Sequence, residues 1–202
     1  MNLSDRSLEK RIEEFFPKDK GSNNTINLSE QLQPSTIDLR LGSMFWRMYD
    51  VAPVFAGTYE KVIDPRSSDA IDFFYQEEVP PGSPFIMNPG PAGFALGVTM
   101  EHICVPDDLV AFVDGRSSYG RWGLRIHSTA GLIDAGFQGA ITLEISLDSS
   151  RPMLLYPGDR ICQVRFEKLD FPARRPYGDS GRRSKYQNQA SAVPSLSRKD
   201  RT

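Results

Sequence analysis

ITLEISL, residues 141–147, alternates with a period of two: Ile141, Leu143, Ile145 and Leu147 take one face, and Thr142, Glu144 and Ser146 take the other. Successive side chains of a β-strand point to opposite faces, so the run reads as a half-buried strand with one carboxylate on its polar side. The same period appears in TIDLRLG at 36–42, where Ile37, Leu39 and Leu41 alternate with Asp38 and Arg40, and more weakly in FALGVTM at 94–100. After the turn at Tyr156, Pro157 and Gly158, the strand RICQVRF at 160–166 sets Cys162, Val164 and Phe166 opposite Gln163 and Arg165. By period alone, Glu144 and Gln163 can face a common polar cavity.

Between these strands turn residues are dense, as in PPGSPFIMNPGPAG at 80–93. That spacing predicts a mainly β fold of sandwich, jelly-roll or distorted-barrel type. A short N-terminal helix is expected, with Ser4 as its cap, Asp5 in its first turn, and Leu8, Ile12 and Phe15 at helical spacing; Pro17 to Gly21 end it. A second short helix is expected within SSDAIDFFY, 67–75. From Pro172 the composition changes: five basic residues fall between 174 and 185, aliphatic content is low, and glycine and serine recur. Such a segment cannot build its own core. The reading is therefore one β domain over 1–171 and an arm over 172–202, since Tyr177, Lys185, Tyr186, Gln187 and Gln189 carry more side-chain specificity than a solubilising tail needs.

With 202 residues the chain fills one domain. A net charge of −2 disfavours a duplex nucleic-acid binder, which usually has a net basic face. No leader-like start and no run of about eighteen apolar residues is visible, so the expectation is a cytoplasmic protein with neither a nucleic-acid nor a membrane partner. Cys104 and Cys162, both in strand-like contexts, read as buried hydrophobes and not as a disulfide.

The chemistry narrows by residue type. Two histidines and two widely spaced cysteines do not make the H-x-E with P-C-x-x-C of a zinc deaminase, and neither GxxxxGK[ST] nor GxGxxG occurs. No G-x-S-x-G elbow is present either. The parts that remain are the carboxylate of Glu144 and the loop GRSSYGRWG, 115–123, with its arginines, hydroxyls and backbone amides. They suit water attack beside a polyphosphate whose charge Arg116, Arg121 and N–H groups hold. Taken singly, each has a plainer reading: Glu144 as a solvent-facing strand residue, Arg116 and Arg121 in ion pairs, Ser117, Ser118 and Asp134 as turn formers. Phe137 and Leu132 read as core, His102 and His127 as structural, and Trp46 and Trp122 as core or subunit contacts.

Taken together they resemble a family. SDRSLEKRI (4–12), QPSTIDLRLG (33–42), GRSSYGR (115–121), HSTAGLIDAGFQGAITLE (127–144), YPGDRICQVRF (156–166) and RPYGDSGRRSKYQNQ (175–189) are similar, in order, to motifs of the deoxycytidine triphosphate deaminases, a zinc-independent branch of the dUTPase superfamily. The resemblance implies a distorted β-barrel or jelly roll, a homotrimer with sites between subunits, and a C-terminal arm that closes over nucleotide. It implies Glu144 as general base and acid for water attack at C4 of cytosine, with Ser117 and the Ala130 backbone positioning water and base and Arg121 supporting that end of the pocket. Arg116, Ser118 and the amides around Tyr119 and Gly120 would cradle the triphosphate. Asp134 would meet the sugar 3′-hydroxyl, Phe137 would pack on the deoxyribose, and Thr142, Leu143 and Gln163 would lie at the base. Tyr177, Lys185 and Gln189 would reach phosphate from the arm. Magnesium would come with the triphosphate, held through phosphate oxygens and water.

Members that release dUTP carry His-Arg between the alanine and Ile-Asp, whereas this chain has Gly131 and Leu132. AGLIDAGF, 130–137, is more similar to the dUMP-forming deaminases and to the third motif of dUTPases. The expectation is a bifunctional enzyme that turns dCTP into dUMP, diphosphate and ammonia, with dUTP and dTTP as further possible ligands. The alternatives are a deaminase that stops at dUTP, then a pure dUTPase, and, in a different class, a β-barrel that holds nucleotide or single strands without turnover.

Overall fold

A computed structural model of the chain describes residues 1–20, 24–49, 62–90 and 93–197. Gly21, at the expected helix end, Pro91 and Ala92 of the turn-rich stretch, and 198–202 of the expected arm lie outside the described residues. The architecture is mainly β with short helices. Strands β1 (Ile37–Arg40), β6 (Leu109–Gly115), β8 (Leu132–Ile133) and β11 (Arg160–Lys168) form one sheet in the order β1-β11-β6-β8. A five-stranded sheet runs β3-β2-β5-β9-β7, built from β2 (Met44–Met48), β3 (Phe74–Glu78), β5 (Phe94–Cys104), β7 (Leu124–Arg125) and β9 (Gln138–Leu147). β4 (Phe85–Met87) pairs with β10 (Met153–Leu155).

The alternation in 141–147 is realised within β9. Leu143 and Ile145 are fully buried, Ile141 and Leu147 nearly so, and Thr142, Glu144 and Ser146 are partly exposed. Antiparallel pairing with β5 sets Leu96 opposite Glu144 and Val98 opposite Thr142. The core lies under the other face, where Phe45 stacks on Phe85 at 3.9 Å and Phe15 on Phe166 at 4.1 Å. Aromatic pairs of this kind add to the burial of their rings.

The register of β5 against β9 shifts between Val98 and His102. Within that irregularity Glu101 is fully buried. Its carboxylate accepts from the Arg40 backbone N–H at 2.9 Å, from Arg40 Nε at 2.6 Å and from Gln31 Nε2 at 3.0 Å. A buried carboxylate is tolerated when paired and hydrogen-bonded in this way.

Two local expectations change. The N-terminal helix is two pieces, α1 (Asp5–Lys10) and α2 (Ile12–Phe15), with Ser4 at the N-cap position but no side-chain cap bond. The chain leaves helical geometry at Arg11 (φ −108°, ψ 11°), whose guanidinium bonds both Glu14 and Asp108, the latter at 2.9 and 3.0 Å. Over 67–75 there is only a 3₁₀ turn, Ala70–Asp72; from Phe74 the chain is already β3, paired to β2. Phe74 is buried beside Leu96 and Val98, and that packing overrides the acidic helix-like composition. Both cysteines are free, Cys162 fully buried and Cys104 half-buried, and burial pushes both thiols above the ordinary thiol range. Among the described residues no helix is long and apolar enough to cross a membrane.

Because Phe15 is fully buried against Phe166, Phe15→Ala is expected to cost about 3–5 kcal/mol of unfolding free energy. Urea denaturation at fixed protein concentration measures it, and a change below about 1 kcal/mol would mean that α2 is not part of the core.

Candidate active site

β9 and the turn before it build the first cavity. Glu144, Thr142 and Ile141 line it from the strand; Ala130, Leu132, Ile133, Asp134 and Phe137 line it from the preceding segment. The volume is about 460 Å³. The Glu144 carboxylate is anchored on one side, where Oε2 accepts from the backbone N–H groups of Ser128 at 3.2 Å and Thr129 at 3.3 Å. These two backbone N–H donors fix the rotamer of the carboxylate. His127 lies against the same strand residue, its Nδ1 3.5 Å from the Glu144 backbone nitrogen. Leu96, Phe94 and Phe74 supply an apolar wall.

The C-terminal arm borders the cavity from the other side. Tyr177, Tyr186, Gln189, Val193 and Ser195 all line it. Main-chain bonds hold the arm down: Tyr177 N–H to Ala135 O at 2.7 Å, Asn188 N–H to Gln138 O at 2.7 Å, and Ala140 N–H to Gln189 O at 2.9 Å. Gln187 Nε2 donates to Gly136 O at 3.0 Å, and Trp46 Nε1 donates to Ala192 O at 2.9 Å. Two glycines make the close approach possible. A Cβ on Gly136 (φ +88°) would sit 2.5 Å from Pro176 Cβ, and one on Gly139 (φ +144°) would sit 3.0 Å from the backbone of Gln189.

Gln189 Nε2 donates to Ala140 O at 2.7 Å and to Thr142 Oγ1 at 3.1 Å. Its Oε1 is buried with no hydrogen-bond partner among the described residues. A buried acceptor left unpaired is costly and marks a place where a donor fits.

A second cavity, about 780 Å³, lies beside the 115–123 loop. Arg116, Ser117, Ser118 and Gly120 line it, with Asp38, Gln163 and Arg125. The loop is a single turn of helix, α3 (Ser117–Gly120). Tyr119 is tied by its hydroxyl to Asp159 Oδ2 at 3.1 Å. Arg121 follows α3, exposed, and lines neither cavity.

The expected site residues are therefore divided. Glu144, Ala130, Leu132, Asp134, Phe137, Thr142, Tyr177 and Gln189 meet at the first cavity; Arg116, Ser117, Ser118, Gly120 and Gln163 meet at the second. Glu144 and Gln163 do not face one cavity within a single chain. Gln163 instead donates to Gly115 O at 3.4 Å and accepts from Thr36 Oγ1 at 3.3 Å. The Leu143 side chain is in the core, so only its backbone is available to a ligand. Gly131 is held by its neighbours: its carbonyl accepts from Val113 N–H at 2.8 Å, and an added Cβ would come within 3.0 Å of Val113 O. Lys185 is part-buried on the arm and lines neither cavity.

Three contributors escape a reading by residue type. His127 lines both cavities; a lone histidine carries no signal in the sequence beyond its place before Ser128 and Thr129. Val193 and Ser195 join the pocket from the end of the arm, where composition suggests only a solvated tail. Trp46 is neither pure core nor free surface, since its indole N–H bonds the arm, and Trp122 is 73% exposed beside the second cavity's loop.

With this geometry the chain belongs to the dCTP deaminase-like family, whose sequence model matches residues 2–169. A protein of Methanobrevibacter smithii named "dCTP deaminase, dUMP-forming" is 43% identical over 182 residues, 90% of this chain and 89% of the relative. One of the same name from Dictyoglomus turgidum is 44% identical over 193 residues, 94% and 91% of the two chains. The 2′-deoxycytidine 5′-triphosphate deaminase of Agrobacterium tumefaciens superposes with a TM-score of 0.60 at 25% identity, covering 83% of this chain and about half, 48%, of that one.

The arm's anchorage is testable without nucleotide. Trp46→Phe removes the bond to Ala192 O, a net loss of about 1 kcal/mol, so amides 189–197 are expected to exchange hydrogen about fivefold faster while the β9 core amides are unchanged. Equal rates in both proteins would mean that Trp46 does not hold the arm.

Proposed function

We propose that the chain is a dUMP-forming dCTP deaminase: dCTP and two waters become dUMP, diphosphate and ammonia. The observation that carries the reading is Glu144, whose carboxylate is anchored by two backbone amides in a cavity with Ala130, Asp134, Phe137 and Thr142. Relatives of that name, 40–44% identical over most of this chain, support it.

In this reading the cytosine lies over Thr142 and Glu144. Glu144 takes a proton from water as its oxygen bonds to C4 and delivers it to N3, then moves the remaining hydroxyl proton to the exocyclic nitrogen as the C4–N bond breaks, which leaves a C4 carbonyl and releases ammonia. Gln189 Oε1, a buried acceptor with no partner among the described residues, would take the exocyclic amine in this reading, at the base end of the ligand, where the resemblance alone implies a phosphate contact. Asp134, exposed at the cavity edge, orients the second water at the α-phosphorus, where the P–O bond to diphosphate breaks. Gly131 and Leu132 leave that side of the cavity free of a cation, and this favours two steps over release of dUTP.

The triphosphate would be met by Arg116, Ser117, Ser118, Arg121 and the amides near Tyr119 and Gly120. Arg116, Ser117, Ser118 and Gly120 line the second cavity of a single chain, and Arg121 follows them in the loop, so we take the site as completed by the loop of a second copy, in a homotrimer of closed jelly-roll subunits with arms over 172–202. The exposed Trp122 next to that loop fits an interface position. Asp38 and Asp114, the carboxylates lining the second cavity, are already engaged by arginines. The hydroxyl, guanidinium and amide donors left there fit magnesium carried by phosphate oxygens and water better than a protein cage. When bound, the ion would neutralise charge on the phosphates.

Product analysis tests the chemistry. Wild type with dCTP is expected to yield diphosphate and ammonia in equal amounts. Glu144→Gln is expected to lose about 10²–10⁴-fold in ammonia release while it still binds dCTP. Accumulated dUTP would favour the single-step deaminase, and undiminished deamination by the variant would remove Glu144 from the chemistry.

The shared site is tested by mixing. Glu144→Gln and Arg121→Ala, each inactive alone, are expected to recover about a quarter of wild-type activity when co-expressed in equal amounts, because random assembly reunites the intact halves in one site of four. No recovery would place both residues in the same chain's site.

A further inference from the structure

We propose that Asp38 is a positioning residue for the phosphate loop: its buried carboxylate presets the guanidinium of Arg116 for the polyphosphate. The inference rests on the assignment of the 115–121 loop to the phosphates, and it concerns a residue that the chemistry above does not use.

The strand pattern of β1 puts Asp38 on a polar face, yet its side chain is only 2% exposed. It is covered because β1 pairs with β11, with Asp38 opposite Gln163, and β11 in turn pairs with the end of β6, with Cys162 opposite Gly115. Gly115 is where the loop leaves the sheet, so the carboxylate reaches the loop across a single strand. Asp38 Oδ2 lies 3.2 Å from Arg116 Nε and 3.4 Å from Arg160 Nη1. Arg116 Nη1 also donates to the Arg160 carbonyl at 2.8 Å. Two edges of the Arg116 guanidinium are thus fixed by groups that are themselves part of the sheet. The Arg116 side chain keeps 27% of its surface exposed and lines the second cavity.

Charge and entropy explain why such an arrangement serves binding. One carboxylate between two guanidiniums leaves a net positive charge at the cavity, so Arg116 is ordered without being neutralised. An arginine free to rotate loses that freedom when it meets phosphate; one already held loses little, and the planar fork then presents its donors in a fixed direction. The contact network continues inward, since Gln31 Nε2 bonds both Asp38 O at 2.9 Å and the buried Glu101. This fixes the backbone of β1 at the same residue.

The test uses the full chain and inorganic triphosphate as a competitive inhibitor of dCTP turnover. Asp38→Asn keeps the shape and loses the charge. It is expected to raise KM for dCTP and the inhibition constant of triphosphate together, by about tenfold, with kcat within about twofold and the inhibition constant of dCMP unchanged. Asp38→Asn combined with Arg116→Ala is expected to be no weaker than Arg116→Ala alone. Equal weakening of dCMP and triphosphate, or a fall in kcat with KM unchanged, would overturn the positioning role. If Arg116→Ala leaves triphosphate inhibition unchanged, the loop is not the phosphate site, a separate failure. If Arg116→Ala weakens inhibition and Asp38→Asn does not, the loop stands and the role of Asp38 falls. Should Asp38→Asn fail to fold, Arg116→Lys carries the test: it keeps the charge but cannot be held at two edges, and wild-type triphosphate inhibition by that variant would equally overturn the proposal.

Discussion

The antiparallel pairing of β5 with β9 is the constraint on which the rest depends. Its register puts Leu143 and Ile145 into the core and, by the strict alternation of a strand, turns Thr142 and Glu144 toward the opposite side. A slip of one residue would exchange those faces, burying a carboxylate and exposing the core. The apolar face therefore locks the position of the polar one. The same strand supplies the edge to which the arm attaches, at Gln138 and Ala140, so chemistry and closure share a single ruler.

Around that strand the molecule separates two tasks. One cavity is walled by Phe74, Phe94 and Leu96 and carries the anchored carboxylate of Glu144. The other is lined by arginines and hydroxyls and suits negative charge. His127 borders both. A nucleotide has the same two halves, an aromatic ring and a charged tail, and the proposed function assigns one half to each cavity.

Much of this was legible in the residues because it depends on short-range periodicity. The strand at 141–147, the alternation at 160–166 and the polar loop at 115–121 all follow from spacing that any single stretch displays. What escaped depends on partners distant in sequence. Asp38 looks like the polar half of an alternating strand until β11 covers it and two arginines meet it. Gln163 was expected beside Glu144 by phase alone, but phase fixes only a face of its own strand, and the two strands lie in different sheets. The N-terminal helix has the right apolar spacing throughout, and yet breaks at Arg11, which bonds Asp108 from far along the chain. No local rule anticipates that pull. The arm's end was opaque for the same reason: its role lies in its contacts with β2 and β9 and not in its composition.

The stitches that fasten the arm run largely through peptide groups, at Tyr177, Asn188 and Gln189, and through two positions where only a residue without a side chain lets the chains touch. A seam made of backbone tolerates much rewriting of the cloth. Side-chain changes in the tail leave those bonds in place as long as the two bare positions beneath stay bare.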